Sequence, residues 1–244
     1  MKGQFGLIGF PLGHSFSKKY FTEKFATQGL NNTYELFELE DITNFSALLE
    51  TNNFNGLNVT IPHKQSIIPF LNKLDHSANQ VGAVNVIKFE KGVLIGYNTD
   101  YPAFRKTLKE WIDISTIKAL VLGTGGASKA VIAALQDLGI NYQQVSRTKS
   151  TTIISYNELL NSKTILDDYK LIINTTPLGM SPNTNLAPEL PYSLLTSSHF
   201  LYDLVYNPEE TLFLKKGKDK GCYIKNGLDM LHLQAELAWD IWNA

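Results

Sequence analysis

The 244 residues leave room for two domains or one large one, and 43% hydrophobic with 18% charged residues is the make-up of an ordinary soluble globular protein. A formal net charge of -1 gives no electrostatic reason to expect nucleic acid or a membrane surface as a partner. Cys222 is the single cysteine, which excludes an internal disulfide and a cysteine-rich metal site and makes a reducing, cytoplasmic setting the expectation.

Strand-like and helix-like stretches alternate from the start, the pattern of an α/β fold with largely parallel sheets. Phe5–Phe10 reads as a short buried strand, too short and too glycine-broken for a signal peptide. Pro11, Gly13 and His14 form a loop, and Ser15-Phe-Ser17 opens a helix that carries Tyr20, Phe21 and Phe25 inward and ends near Gly29. Thr33–Leu39 is a second strand and Ile42–Thr51 a second helix. In Gly56–Ile61, Leu57, Val59 and Ile61 alternate with Asn58 and Thr60, which is the period of a strand. Pro62 stops it, and Lys64 follows where a strand end delivers side chains into a crevice. The spacing predicts a helix over Ile67–Leu74, a strand through Val81–Ile87, a turn at Gly92 and a closing strand over Val93–Tyr97.

Asn98-Thr99-Asp100 begins a helix through Trp111 that connects two domains. An acid in its first turn suits the helix dipole. No apolar run approaches the ~18 residues of a membrane helix. The five histidines form no constellation with acids or cysteines, so no metal site is expected. His14 and His63 fall inside motifs, and His76, His199 and His232 read as structural or exposed.

Lys118–Leu122 is a strand followed directly by Gly123-Thr124-Gly125-Gly126-Ala127-Ser128, and Lys129–Leu138 has helical spacing closed by Gly139. A glycine turn between strand and helix lets backbone approach a pyrophosphate at the helix amino terminus. Ser128 stands in place of the third glycine. An acid about 20 positions further would hold the ribose 2′-hydroxyl of NAD. The window instead offers Ser146, Arg147, Thr148 and Lys149, donors that suit a 2′-phosphate, so NADP is the expected coenzyme. Gln234 sits inside the apolar stripe of the last helix, Met230–Trp242, with Met230, Leu231, Leu237, Ala238 and Ile241. A buried amide there needs a polar partner.

Nine motifs in one order resemble the shikimate dehydrogenase family nearly end to end. They are Gly13-His-Ser-Phe-Ser17, Asn58-Val-Thr-Ile-Pro-His-Lys64, Gly82-Ala-Val-Asn85, Asn98-Thr-Asp100, Gly123–Ser128, Ser146-Arg-Thr148, Asn174-Thr-Thr-Pro-Leu-Gly-Met180, Tyr202-Asp-Leu-Val-Tyr-Asn-Pro208 and Gly227–Gln234. The resemblance implies a two-lobed α/β protein with a cleft between its lobes. Residues 1–100, completed by 227–244, would bind substrate, and 101–226 would form a Rossmann-like NADP domain. It implies reduction of 3-dehydroshikimate to shikimate with NADPH, a small-molecule substrate, and a monomer or homodimer.

Residue by residue, Ser15 and Ser17 would bind the substrate carboxylate with Tyr206 near it. Asn58, Thr60, Asn85 and Gln234 would hold the ring, and Lys64 with Asp100 would be the catalytic pair. Thr175 in the Asn174–Met180 loop, Leu204 and Gly227 would approach the nicotinamide. A quinate or mixed quinate/shikimate enzyme shares the pattern. Four departures stand out: Ser146 for the family's asparagine, Thr151 where a second arginine is usual, Tyr101 after Asp100 for glycine, and a short interval from Thr148 to Asn174. The last predicts a trimmed helix or strand.

Overall fold

The computed structural model describes residues 3–13, 15–162 and 164–244, so the loop position expected for His14 lies outside the described residues. The chain divides into two units, Met1–Thr99 with Gln234–Ala244, and Asp100–Leu233.

The first unit runs β1 (Gln4–Gly9), α1 (Phe16–Thr27), β2 (Thr33–Glu38), α2 (Phe45–Thr51), β3 (Gly56–Val59), β4 (Lys73–Leu74), α3 (His76–Val81), β5 (Val86–Glu90) and β6 (Val93–Tyr97). Its sheet has the order β2-β1-β3-β5-β6-β4. β2, β1 and β3 are parallel, whereas β5 runs antiparallel to β3 and β6. Both faces are covered. Leu57, Val59 and Ile87 enter one apolar cluster with Phe45, Phe54 and Ile67. Phe5, Leu7 and Val86 enter another with Phe21, Phe25, Tyr34 and Trp242. Strand alternation therefore turns Asn58 toward the second cluster, away from Leu57 and Val59.

Residues 67–87 depart from the expectation. The predicted helix over Ile67–Leu74 is a single 3-10 turn at Ile68–Phe70 followed by β4. Pro69 lies in the first turn of either helix, where a missing N–H does no harm, so it does not by itself end the helix. The chain then joins the open edge of β6, with Asn72 and Leu94 exchanging two hydrogen bonds at 2.8–3.0 Å. The strand predicted from Val81 starts only at Val86, and α3 precedes it. Asp75 caps α3 by accepting from the Ser77 N–H at 2.9 Å, and Gly82 closes it in the left-handed conformation at φ 66.

The second unit runs α4 (Asp100–Trp111), β7 (Ala119–Leu122), α5 (Gly126–Asp137), β8 (Tyr142–Ser146), β9 (Ile153–Ser155), α6 (Tyr156–Asn161), α7 (Ile165–Asp168), β10 (Leu171–Asn174), β11 (Phe200–Asp203), α8 (Leu212–Lys218), β12 (Tyr223–Lys225) and α9 (Leu228–Asn243), whose later turns belong to the first unit. Its strands lie in the order β12-β11-β10-β7-β8-β9, and every pairing is parallel. Counted within the unit this is 6-5-4-1-2-3, with the order reversing between β7 and β10. The short interval before Asn174 keeps its strand, β9, and economises on helix, since α6 has 6 residues and α7 has 4.

Candidate active site

In the first unit a line of buried polar groups crosses the sheet. The Tyr34 hydroxyl donates to Asn58 Oδ1 at 2.6 Å, and Asn58 Nδ2 donates to the Asn85 carbonyl at 3.3 Å. Asn85 Nδ2 donates to the Thr99 hydroxyl at 2.9 Å, and its Oδ1 accepts from the Thr99 N–H at 2.8 Å. Burial pushes the Tyr34 phenol far above its ordinary range, against the pull of its hydrogen bond to Ser17, so it stays protonated and donates. The line therefore joins four expected positions or their neighbours, Ser17, Asn58, Asn85 and the residue before Asp100. Tyr34 was not expected, because its strand Thr-Tyr-Glu-Leu carries no sign of a buried phenol.

Ser15 caps α1, its hydroxyl accepting from the Lys18 N–H at 3.4 Å. Thr60 continues β1's ladder, its N–H donating to the Ile8 carbonyl at 2.8 Å. Lys64 is half-buried, and its carbonyl accepts from the Val84 N–H at 2.7 Å. That bond fixes the lysine's backbone one residue from Asn85. His63 is spent on structure: its Nε2 donates to the Leu39 carbonyl at 2.6 Å. Asp100 opens α4 and is 7% exposed.

Gln234 is half-buried on α9. The helix around it is docked by Trp242, whose Nε1 donates to the Ile87 carbonyl at 3.1 Å. The indole lies where a side chain on Gly56 would be, since a Cβ there would stand 2.3 Å from Nε1. Gly56 is thus a docking residue that strand periodicity does not flag.

In the second unit the glycine turn lies at the point where strand order reverses. Gly123 has φ +111, and a Cβ on it would meet Thr175 Oγ1 at 2.8 Å. Thr175 is held there by its hydroxyl, which donates to the Leu122 carbonyl at 2.6 Å. α5 starts at Gly126, three residues earlier than its apolar spacing suggested, so Gly126, Ala127 and Ser128 form its first turn. Its N-cap, Gly125, offers no side chain to the first-turn N–H groups. Ser128 is fully buried and turned inward, donating to the Gly125 carbonyl at 2.7 Å. A small inward hydroxyl replaces the third glycine without obstructing the turn. Thr124 and Gly125 are exposed. An open turn facing bare helix N–H groups fits a pyrophosphate.

Ser146 ends β8, and its hydroxyl accepts from the Thr148 N–H at 3.4 Å. Arg147, Thr148 and Lys149 are exposed. Arg147 has no carboxylate partner among the described residues, while Lys149 pairs with Glu158. Leu204 donates its N–H to the Asn174 carbonyl at 3.0 Å, and Gly227 packs so closely that a Cβ would stand 2.2 Å from the Leu204 carbonyl oxygen. Tyr206 is half-buried.

Beneath these loops lies an acid that motif reading passed over. Asp203 is fully buried. It accepts from Asn174 Nδ2 at 2.9 Å, the Val205 N–H at 3.0 Å and the Thr211 hydroxyl at 2.5 Å. Asn174 in turn accepts from the Thr176 hydroxyl at 2.6 Å, so one carboxyl ties together the ends of β10 and β11 and the start of α8. Its signal was available: a lone acid inside the apolar run Phe200–Val205.

Burial pushes the Asp203 carboxyl up from its ordinary 3.8 to about 6, against the opposing pull of Thr211, Val205 and Asn174. A folded-state pKa above the unfolded one gives stability that is complete below the unfolded value and lost as pH rises through about 6. The whole loss is about 3 kcal/mol, and roughly half of it falls between pH 5 and pH 8. Asp203→Asn is therefore expected to lose about 1.5 kcal/mol less than the parent over that interval in urea unfolding. Equal losses in the two proteins would exclude a raised carboxyl.

No group of three or more His, Cys, Asp and Glu side chains able to hold a metal occurs among the described residues. Nor is any helix there long and apolar enough to cross a membrane.

A fully parallel sheet ordered 3-2-1-4-5-6, with a glycine turn at the reversal, defines the second unit as a dinucleotide-binding doubly wound fold. Comparison with known proteins narrows the class. The sequence profile described as the shikimate dehydrogenase substrate binding domain matches residues 7–87. Shikimate dehydrogenase (NADP(+)) of Carboxydothermus hydrogenoformans is 39% identical over 252 residues, covering 97% of this chain and 90% of the relative. The crystal structure of shikimate dehydrogenase 1 from Peptoclostridium difficile superimposes with TM-score 0.88 at 37% identity, covering 99% of this chain and 91% of the other. That of the Thermus thermophilus enzyme in complex with NADP(H) and shikimate gives TM-score 0.84 at 30% identity, covering 98% and 93%. The chain belongs to the shikimate dehydrogenase family.

Proposed function

We propose that the chain catalyses the reversible NADP-dependent reduction of 3-dehydroshikimate to shikimate, a step toward chorismate and the aromatic amino acids. The observation that carries this reading is the line Ser17–Tyr34–Asn58–Asn85–Thr99, buried from Tyr34 onward, which holds hydroxyl and amide groups in fixed orientation. It leads directly into Asp100 and lies beside the backbone anchor of Lys64. Such a line suits a polyhydroxy acid, because each ring hydroxyl needs a partner whose own geometry is already set.

Residues 1–100 with 227–244 supply most of the substrate's partners and residues 101–226 most of the coenzyme's. Ser15, Ser17 and Tyr206 receive the carboxylate, while Asn58, Thr60, Asn85 and Gln234 receive the ring. Lys64 donates a proton to the developing alkoxide, and Asp100 orients its ammonium and shares the substrate hydroxyl. Bound NADPH supplies the hydride. The turn 123–128 takes its pyrophosphate, Ser146–Lys149 the 2′-phosphate, and Thr175, Leu204 and Gly227 face the nicotinamide. The protein works as a monomer or homodimer in the cytoplasm.

Turnover measured with shikimate and with quinate, each with NADP+ and NAD+, tests the proposal. Shikimate with NADP+ is expected to be the best pair, and absence of turnover with that pair would overturn the reading. Ser15→Ala/Ser17→Ala is expected to raise the KM for shikimate about tenfold with little change in kcat, since a carboxylate is bound alike in ground and transition states. If only the melting temperature falls, the two serines serve α1 and Tyr34 alone.

A further inference from the structure

The cationic run after β8 is not wholly available to a ligand. Lys149 Nζ is bonded to Glu158 Oε1, and the same carboxylate's Oε2 accepts from the Ser155 N–H at 2.9 Å and the Ser155 hydroxyl at 3.0 Å. The Ser155 hydroxyl accepts from the Glu158 N–H at 3.1 Å, so the acid is locked in the capping box of α6. Glu158 is thus held from two sides before it meets the lysine. Arg147, two residues earlier in the chain, has no carboxylate partner among the described residues.

We infer that Glu158 sets coenzyme discrimination by holding Lys149, leaving Arg147 as the main cation for a 2′-phosphate. This rests on the proposed use of NADP. A phosphate drawing on Lys149 must compete with a carboxylate already ordered by Ser155, so the second cation contributes only the excess. Hydrogen bonds from Lys149 first, then from Ser155, hold the Glu158 carboxyl down at about 2, so the competition persists at every pH near neutrality. The pair is well exposed, with side chains 64% and 38% accessible, which makes the effect modest.

Glu158→Gln removes the charge while a glutamine can still accept from Ser155, so the α6 cap survives. Isothermal titration with NADP+ and NAD+ on the parent, Glu158→Gln, Lys149→Ala and the double variant reads the effect without turnover. Glu158→Gln is expected to tighten NADP+ about two- to fivefold and leave NAD+ unchanged. Lys149→Ala should weaken NADP+ far less than Arg147→Ala does, and it should abolish the gain from Glu158→Gln. The inference is overturned if Glu158→Gln leaves the NADP+/NAD+ ratio unaltered, or if its gain persists in the double variant. Equal binding of NADP+ and NAD+ by the parent would instead overturn the phosphate reading, and this inference with it.

Discussion

Lys64→Ala is expected to cut kcat by about 10²–10⁴-fold, the usual worth of a positioned proton donor, while substrate affinity stays within an order of magnitude. The fold should survive. The Lys64 carbonyl, which accepts from the Val84 N–H at 2.7 Å, is retained by alanine. A melting temperature close to the parent's, alongside lost turnover, would separate chemistry from folding. Near-parental kcat would remove Lys64 from the mechanism.

Arg147→Ala is expected to weaken NADPH binding by about 10- to 150-fold, the range of one hydrogen-bonded charge, and to leave NADH almost untouched. Thr151 stands where a second arginine would help and Lys149 is engaged by Glu158, so discrimination should lie near this single-residue range. The arginine is exposed at the end of β8, and its truncation leaves no buried group unpaired. Equal KM values for the two coenzymes in the unmodified protein would refute the phosphate role, whatever the variant does.

Much of this was legible in the residues because local and tertiary preferences agree. Leu57 and Val59 alternate with Asn58, and the strand buries two apolar side chains on one face and an amide on the other. The glycine turn announced itself by lying between an apolar strand and a helical period. Residues 67–81 misled because apolar spacing there fits a helix, whereas pairing with the open edge of β6 takes the chain instead. The α3 helix was signalled only by Asp75 and Gly82, its cap and its left-handed stop. Tyr34 and Asp203 could not be assigned roles from pattern alone. Their partners, Ser17, Asn58, Asn174 and Thr211, come from other elements, and only the sheet registers bring them together.

Gly56 and Trp242 have a consequence for the order in which the protein can be made. The aromatic cluster over β1 holds Phe5, Phe21 and Phe25 against Trp239 and Trp242, with ring centroids 5.0–5.7 Å apart across the two ends of the chain. On the ribosome those phenylalanines emerge before the second unit and their tryptophans after it. At about 5–20 residues per second, that unit takes roughly 7 to 27 seconds to synthesise. Throughout that time the sheet of the first unit exists without its closing helix, with the notch at Gly56 empty and Phe5, Phe21 and Phe25 uncovered on that side. The nascent chain is therefore most exposed to chaperones and to aggregation while its coenzyme unit is being built, and seating of the Trp242 indole is the event that ends the exposure.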